Sequence, residues 1–186
     1  MRPSSDGFAA AVASSSRADR VDRRSLLAAA SLGLLAPPLR ASAVLAEWKG
    51  PPAAPPIELF TADGVPFTLA SLRGKVVLVN FWATWCEPCV TEMPSLQRLH
   101  DRFAPRLEVL GVNYQEGPAR IKAFVARSSV TFPVVRDTDG AVAKAWGARI
   151  FPASYVVDRT GNVRHVMIGG ADWTTTELVT TIAKLL

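Results

Sequence analysis

Apolar residues along this chain fall into three spacings, and each spacing predicts a different element. Continuous runs from Lys75 to Trp82 and from Leu107 to Val112 are rich in β-branched side chains and predict strands buried on both faces, the first of them central. Between them Val90, Met93, Leu96, Leu99 and Phe103 recur at steps of three and four. That period predicts a helix from about Cys86 to Phe103, kinked at Pro94. A strand, a crossover helix and a parallel strand make one βαβ unit. Alternation over Ile57 to Phe60 and Val65 to Leu69, around the turn residues Thr61 to Gly64, predicts a short leading hairpin that covers a sheet edge. Ala119 to Arg127 reads as the next helix, Val134 and Val135 as a brief strand, and Ala141 to Trp146 as a turn or two of helix. Two further strands, Ser154 to Asp158 and Val163 to Ile168, flank the turn chemistry of Asp158 to Asn162 and so predict an antiparallel hairpin. Thr174 to Leu186, with Leu178, Ile182 and Leu185 on one face, closes the chain as a helix.

Ahead of this pattern the composition changes. Pro51, Pro52, Pro55 and Pro56 rule out helix or inner strand over residues 47–56, which read as a stiff tether to a domain at 57–186. Residues 1–46 read as an export signal: a basic stretch ending at Arg23 and Arg24, an apolar stretch from Leu26 to Ala36, and small residues at 41–43 and 44–46. Some eleven apolar residues are too few for a membrane-spanning helix, so cleavage after Ala43 or Ala46 is favoured over retention as an anchor. The arginine pair followed by Ser25, Leu26 and Leu27 resembles a twin-arginine signal, although Asp22 precedes it.

The 186 residues carry a net charge of +5, which invites a polyanion partner until the charges are placed. Residues 1–46 hold six arginines against three aspartates, leaving 15 of the 21 basic and 13 of the 16 acidic residues for the remainder. With no basic cluster in that remainder, no nucleic-acid partner is expected.

The only two cysteines, Cys86 and Cys89, stand three apart directly behind the central strand. A zinc site needs two more ligands, and the two histidines, His100 and His165, lack ligand spacing. A staple closing so small a loop removes little entropy from the unfolded chain. Redox chemistry is left. A cysteine at a helix N-terminus faces unpaired N–H groups and the positive end of the dipole, which favour thiolate over thiol. Cys86 is therefore the expected nucleophile, with a pKa below the ordinary value of about 8.5. Pro88 occupies a position where a missing N–H costs nothing and a fixed φ starts the helix. Cys89, one turn inward, is placed to attack the mixed disulfide that Cys86 forms. Glu87 opposes thiolate formation beside it, which argues for a reductant over a strong oxidant.

The stretch Val79 to Cys89, followed by Glu92 and Pro94, resembles the TlpA/ResA branch of the thioredoxin superfamily, the membrane-facing reducing thioredoxins of bacteria. The resemblance implies an α/β fold: a thioredoxin-like three-layer sandwich whose central mixed sheet has βαβ and ββα halves. A short N-terminal hairpin precedes it, and an insertion beginning at Tyr114 to Pro118 separates the second central strand from the following helix. Thioredoxin proper buries an acid where this chain has Asn80, which cannot take a proton. In this branch a glutamate three residues beyond the second cysteine is similar in role, and Glu92 has that spacing. If buried, its raised pKa suits it to accept the Cys89 proton; if exposed, it merely complements the helix dipole. Phe151 and Pro152 look like the family's cis-proline loop, which presents backbone to a substrate strand opposite the nucleophile. Trp85 reads as a substrate platform, and Trp82 equally well as a gate or as core.

The activity implied is thiol-disulfide oxidoreduction without a cofactor beyond the Cys86–Cys89 pair. Expected partners are client proteins with cysteine pairs, apocytochrome c first among them, and a membrane electron donor of the CcdA or DsbD type. Copper-site cysteines in cytochrome oxidase assembly are the alternative client, and a copper(I)-holding chaperone the alternative class. A peroxidase is disfavoured, since the Pro-x-x-x-Thr-x-x-Cys pattern of peroxiredoxins is missing. An exported protein with just this pair fits an oxidising compartment in which the pair is kept reduced, with membrane association if the signal stays uncleaved.

Overall fold

The structure is a computed structural model and describes residues 45–186. The predicted export signal lies outside the described residues, except for Leu45 and Ala46. One eight-stranded sheet runs in the order β1-β8-β7-β4-β5-β6-β2-β3. In chain order the strands are β1 (Ala46–Glu47), β2 (Glu58–Thr61), β3 (Pro66–Thr68), β4 (Val76–Trp82), β5 (Leu107–Tyr114), β6 (Val134–Asp137), β7 (Ala153–Val157) and β8 (Val163–Ile168). The helices are α1 (Glu87–Phe103), α2 (Pro118–Ser128), α3 (Ala141–Trp146) and α4 (Thr176–Ala183), with a 3-10 turn at Leu69–Leu72. β4, β5 and β6 are parallel, whereas β7 runs antiparallel to β4 and β8 to β7. The predicted βαβ half, ββα half and leading hairpin are all present.

β4 is central and buried at every position. Its side chains alternate between two cores. Val76, Leu78 and Trp82 face the core built with α1, α2 and α4, while Val77, Val79 and Phe81 face the one that takes in α3, Ile57 and the 3-10 turn. By the same alternation Asn80, a polar residue fully buried in this run, points to the α1 side. Trp82 is core and not a gate: it is fully buried and tilts against Phe124 with ring centroids 4.8 Å apart. Gly111 of β5 makes room for it, since a Cβ there would lie 3.1 Å from the indole nitrogen.

The proline-rich stretch is part of the packed domain. Ala46 and Glu47 pair with Val166 and His165 of β8, and Ala53 bridges to Asn162. The Val163 N–H donates to the Pro52 carbonyl at 2.7 Å, and Trp48 sets its ring edge-on to Tyr155. Prolines cannot donate to a ladder but tolerate an edge, so this segment lies along β8 as a strap where the sequence suggested a spacer. The β7–β8 turn is pinned by Asp158. Burial opposes its charge, but N–H groups of Asn162 and Thr160, the Thr160 hydroxyl and Arg164 outweigh that and hold its carboxyl down to about 2.

Candidate active site

Helix α1 begins after a link of four residues from the end of β4, so its N-terminus opens at the C-terminal end of the central strand. Cys86 is the N-cap and offers no side-chain capping bond, which leaves its sulfur free for chemistry. Glu87 and Pro88 form the first turn, with the proline at the position where a helix lacks an N–H partner anyway. Cys86 and Cys89 are joined as a disulfide with Cα atoms 5.3 Å apart. Cys86 retains 6% exposure and Cys89 none, an asymmetry that gives only the first sulfur a path to a partner protein.

The core-facing stripe of α1 carries Cys89, Met93, Leu96 and Leu99, and Glu92 lies on it too. Glu92 is 3% exposed, so the reading as a surface residue does not hold. One carboxylate oxygen accepts from Asn80 Nδ2 at 2.8 Å. The other accepts from the Ala171 N–H at 3.0 Å and the Trp173 indole N–H at 3.2 Å. Burial dominates these lowering bonds and pushes the carboxyl up to about 7. Asn80 Nδ2 also reaches the Ser154 hydroxyl at 2.9 Å, across the antiparallel register that sets Asn80 opposite Ser154. An amide carries both a donor and an acceptor, so by turning about χ2 Asn80 can bond Glu92 in either protonation state.

Phe151–Pro152 is a cis peptide bond, as the resemblance implies. Around it sits an aromatic group: Tyr114 packs on Phe151 at 4.8 Å, and Trp85 stands edge-on to Phe151 at 6.2 Å with 61% of its surface exposed. Ile150, also exposed, extends this apolar rim. Trp85 and Pro88 flank the cysteines along the chain, Phe151 packs against the core cluster that contains both, the buried Pro152 follows it, and Glu87 is exposed between the two cysteines.

Other residues of the site escape sequence reasoning. Glu116, in the loop after β5, accepts from the Thr84 N–H and hydroxyl and from Asn113 Nδ2, with Arg120 at 3.5 Å. Burial raises its pKa, but these bonds prevail and hold the carboxyl below its usual range. It thereby fastens the residue two places before Cys86. Glu116→Ala is expected to leave the Thr84 N–H unpaired, lower stability by about 1–3 kcal/mol and loosen Trp85, read by thermal melting and tryptophan fluorescence anisotropy. Unchanged anisotropy would remove this role. Ser154, Ala171 and Trp173 also escaped. A buried polar pair across β4 and β7 requires the register, and the contact of Trp173 requires the path of a loop.

Residues 52–166 match the AhpC/TSA family. The thiol-disulfide oxidoreductase ResA of Geobacillus thermodenitrificans is 35% identical over 117 residues, covering 62% of this chain and 67% of its own. Among solved structures, a thioredoxin-family thiol:disulfide interchange protein of Chlorobium tepidum aligns with a TM-score of 0.63 and 28% identity, over 74% of this chain and 99% of that one. A secreted Mycobacterium tuberculosis disulfide oxidoreductase homologous to Escherichia coli DsbE aligns with a TM-score of 0.62 and 27% identity, over 69% of this chain and 96% of that one.

Proposed function

Because the chain belongs to the AhpC/TSA family and is a thiol-disulfide oxidoreductase of the ResA/DsbE type, we propose that it works outside the cytoplasm as a reductant of client cysteine pairs, foremost the Cys-x-x-Cys-His segments of apocytochrome c. The observation that carries the reading is the buried Glu92, a group near neutrality in proton affinity, on the helix face of the cysteine that must resolve the mixed disulfide; the reducing direction is supported by the resemblance to the reducing TlpA/ResA branch. Export is supported by the leader-like residues 1–46 and by the secreted relative. The apocytochrome client and the CcdA- or DsbD-type membrane donor are supported by the motif resemblance around Cys86 and Cys89.

In the reduced protein the Cys86 thiolate attacks one sulfur of the client disulfide, forming a mixed disulfide and releasing the other client sulfur as thiolate. Trp85, Ile150 and Phe151 supply an apolar bed for the client chain, and the backbone at Phe151 offers it strand-like pairing. Cys89 then gives its proton to Glu92 and attacks the Cys86 sulfur. The second client sulfur leaves as thiolate, the two client sulfurs take up the proton held by Glu92 and one from water, and the client then holds two thiols and the protein the Cys86–Cys89 disulfide. Two electrons have passed to the client, and the donor restores them.

Cys89→Ala blocks resolution and is expected to trap clients on Cys86 when the full chain is expressed in a host with an extracytoplasmic compartment. Capture of proteins bearing Cys-x-x-Cys-His segments supports the apocytochrome reading, and capture of copper-site subunits moves the client to oxidase assembly. If nothing is trapped while the wild-type pair stays oxidised in cells, the reductase reading fails in favour of copper(I) holding.

A further inference from the structure

The loop between β8 and α4 joins the cis-proline, the first turn of α1 and Glu92. The Gly169 N–H donates to the carbonyl of the cis-proline Pro152 at 2.8 Å. Gly170 lies against Pro88 so closely that an added Cβ would sit 3.3 Å from that residue's carbonyl oxygen and Cβ. Ala171 donates its N–H to Glu92, and its carbonyl accepts from Ser95 at 3.3 Å. Trp173 is fully buried in the core that also contains Cys86 and Cys89; its backbone N–H donates to Ser95 Oγ at 3.1 Å and its indole N–H to Glu92. Ser95, one turn beyond Glu92, closes the arrangement by donating to the Glu92 carbonyl at 2.7 Å.

We propose that Trp173 is the positioning residue for Glu92: its indole N–H, held in place by Ser95 and the Gly169–Gly170 turn, fixes the carboxylate on the Cys89 face of α1 and favours its ionised form. The inference rests on Glu92 acting as the base. A buried indole N–H needs an acceptor, and this one takes the buried carboxylate on the Cys89 face while its main chain is tied to the same helix turn, so ring and backbone together fix Glu92. The groups bonded to the carboxylate are uncharged: Asn80 from β4, with Ser154 of β7 behind it, and Ala171 and Trp173 from the loop. The ionisable groups on the same elements are the cysteine pair and the exposed Glu87 at the start of α1, His100, Asp101 and Arg102 at its far end, Tyr155 of β7 on the opposite core, and Asp172 and Arg98, which lie at the surface 3.9 Å apart, Asp172 also accepting from Thr174.

The test replaces Trp173 in the full chain by benzothienylalanine, which keeps the ring shape and removes the N–H, and separately by phenylalanine. The Glu92 carboxyl is titrated by difference infrared spectroscopy against Glu92→Gln, and the pH profile of client disulfide reduction is taken in parallel. Loss of one hydrogen bond to a carboxylate is expected to move both titration and profile upward by about 1 pH unit. Ser95→Ala, which frees the Trp173 main chain and leaves the indole, is expected to shift them in the same direction by less. If both Trp173 variants lower the melting temperature but leave the carboxyl titration in place, Trp173 only fills space and the proposal fails. If the titration moves while Glu92→Gln in the wild-type background leaves the pH profile unaltered, positioning by Trp173 stands and the base role of Glu92 falls.

Discussion

Cys86→Ser is expected to abolish turnover, reducing a client disulfide at least about a thousandfold more slowly than the wild type while melting close to it. A serine hydroxyl cannot form the mixed disulfide. The remaining thiol does not substitute, because Cys89 is fully buried on the inward face of α1, whereas Cys86 alone reaches the surface at the helix cap. Reduced Cys86→Ser should also resist alkylation in the native state and react only as fast as the chain opens locally. The Cys89 variant behaves in the opposite way, with an accessible sulfur that captures partners and cannot release them. Activity of Cys86→Ser above about a hundredth of wild type would mean that the order of attack is reversed.

Glu92→Gln separates activity from stability. Loss of a general base is expected to slow resolution of the mixed disulfide by about a hundredfold at pH 8, where the wild-type carboxyl is ionised. The folded protein, however, should become more stable. The Glu92 carboxyl rises from 4.5 to about 7 on burial, so the folded state holds this proton more tightly than the unfolded chain does. Stability from that preference is complete below pH 4.5 and is lost as the pH climbs through 7. The loss comes to about 3 kcal/mol. Glutamine does not titrate and can still accept from Ala171 and Trp173, while Asn80 turns its amide to meet the new donor. Denaturant unfolding of the variant should therefore match wild type near pH 4 and exceed it by about that amount at pH 8. Glu116 and Asp158, whose carboxyls are lowered, act in the reverse sense, but they do so in both proteins and cancel in the difference. Equal stability at pH 8 would show an ordinary carboxyl at residue 92.

Much of the architecture was legible because the strongest sequence signals belong to the elements that carry the site. β4 reads as a buried strand from an unbroken apolar run, and α1 from a stripe that continues through Cys89, Met93, Leu96 and Leu99. The α3 bounds and β8 coincide with expectation; α4 is shorter at both ends, Thr176–Ala183 instead of 174–186. Glu92 was found by its spacing from Cys89 and by resemblance, but its surroundings were not. Trp173 lies 81 residues from Glu92, and Ser154 lies 74 from Asn80. Such contacts come from strand register and loop path, which no local pattern encodes. The strap was misjudged for a related reason: prolines exclude an inner strand and say nothing about lying beside an outer one.

That strap bears on what this protein survives. Under the function proposed above, the protein works beside unfolded chains that seek hydrogen-bond partners. Any long bare strand at the margin of its sheet would template their aggregation. One margin is a two-residue strand running into prolines 51 and 52, and the other is the three-residue β3, which starts at Pro66. Among the described residues neither offers a run of free N–H and C=O groups long enough for an unfolded chain to add itself. Under the same proposal clients pair with the backbone at Phe151 instead, and contact there ends when the mixed disulfide is resolved.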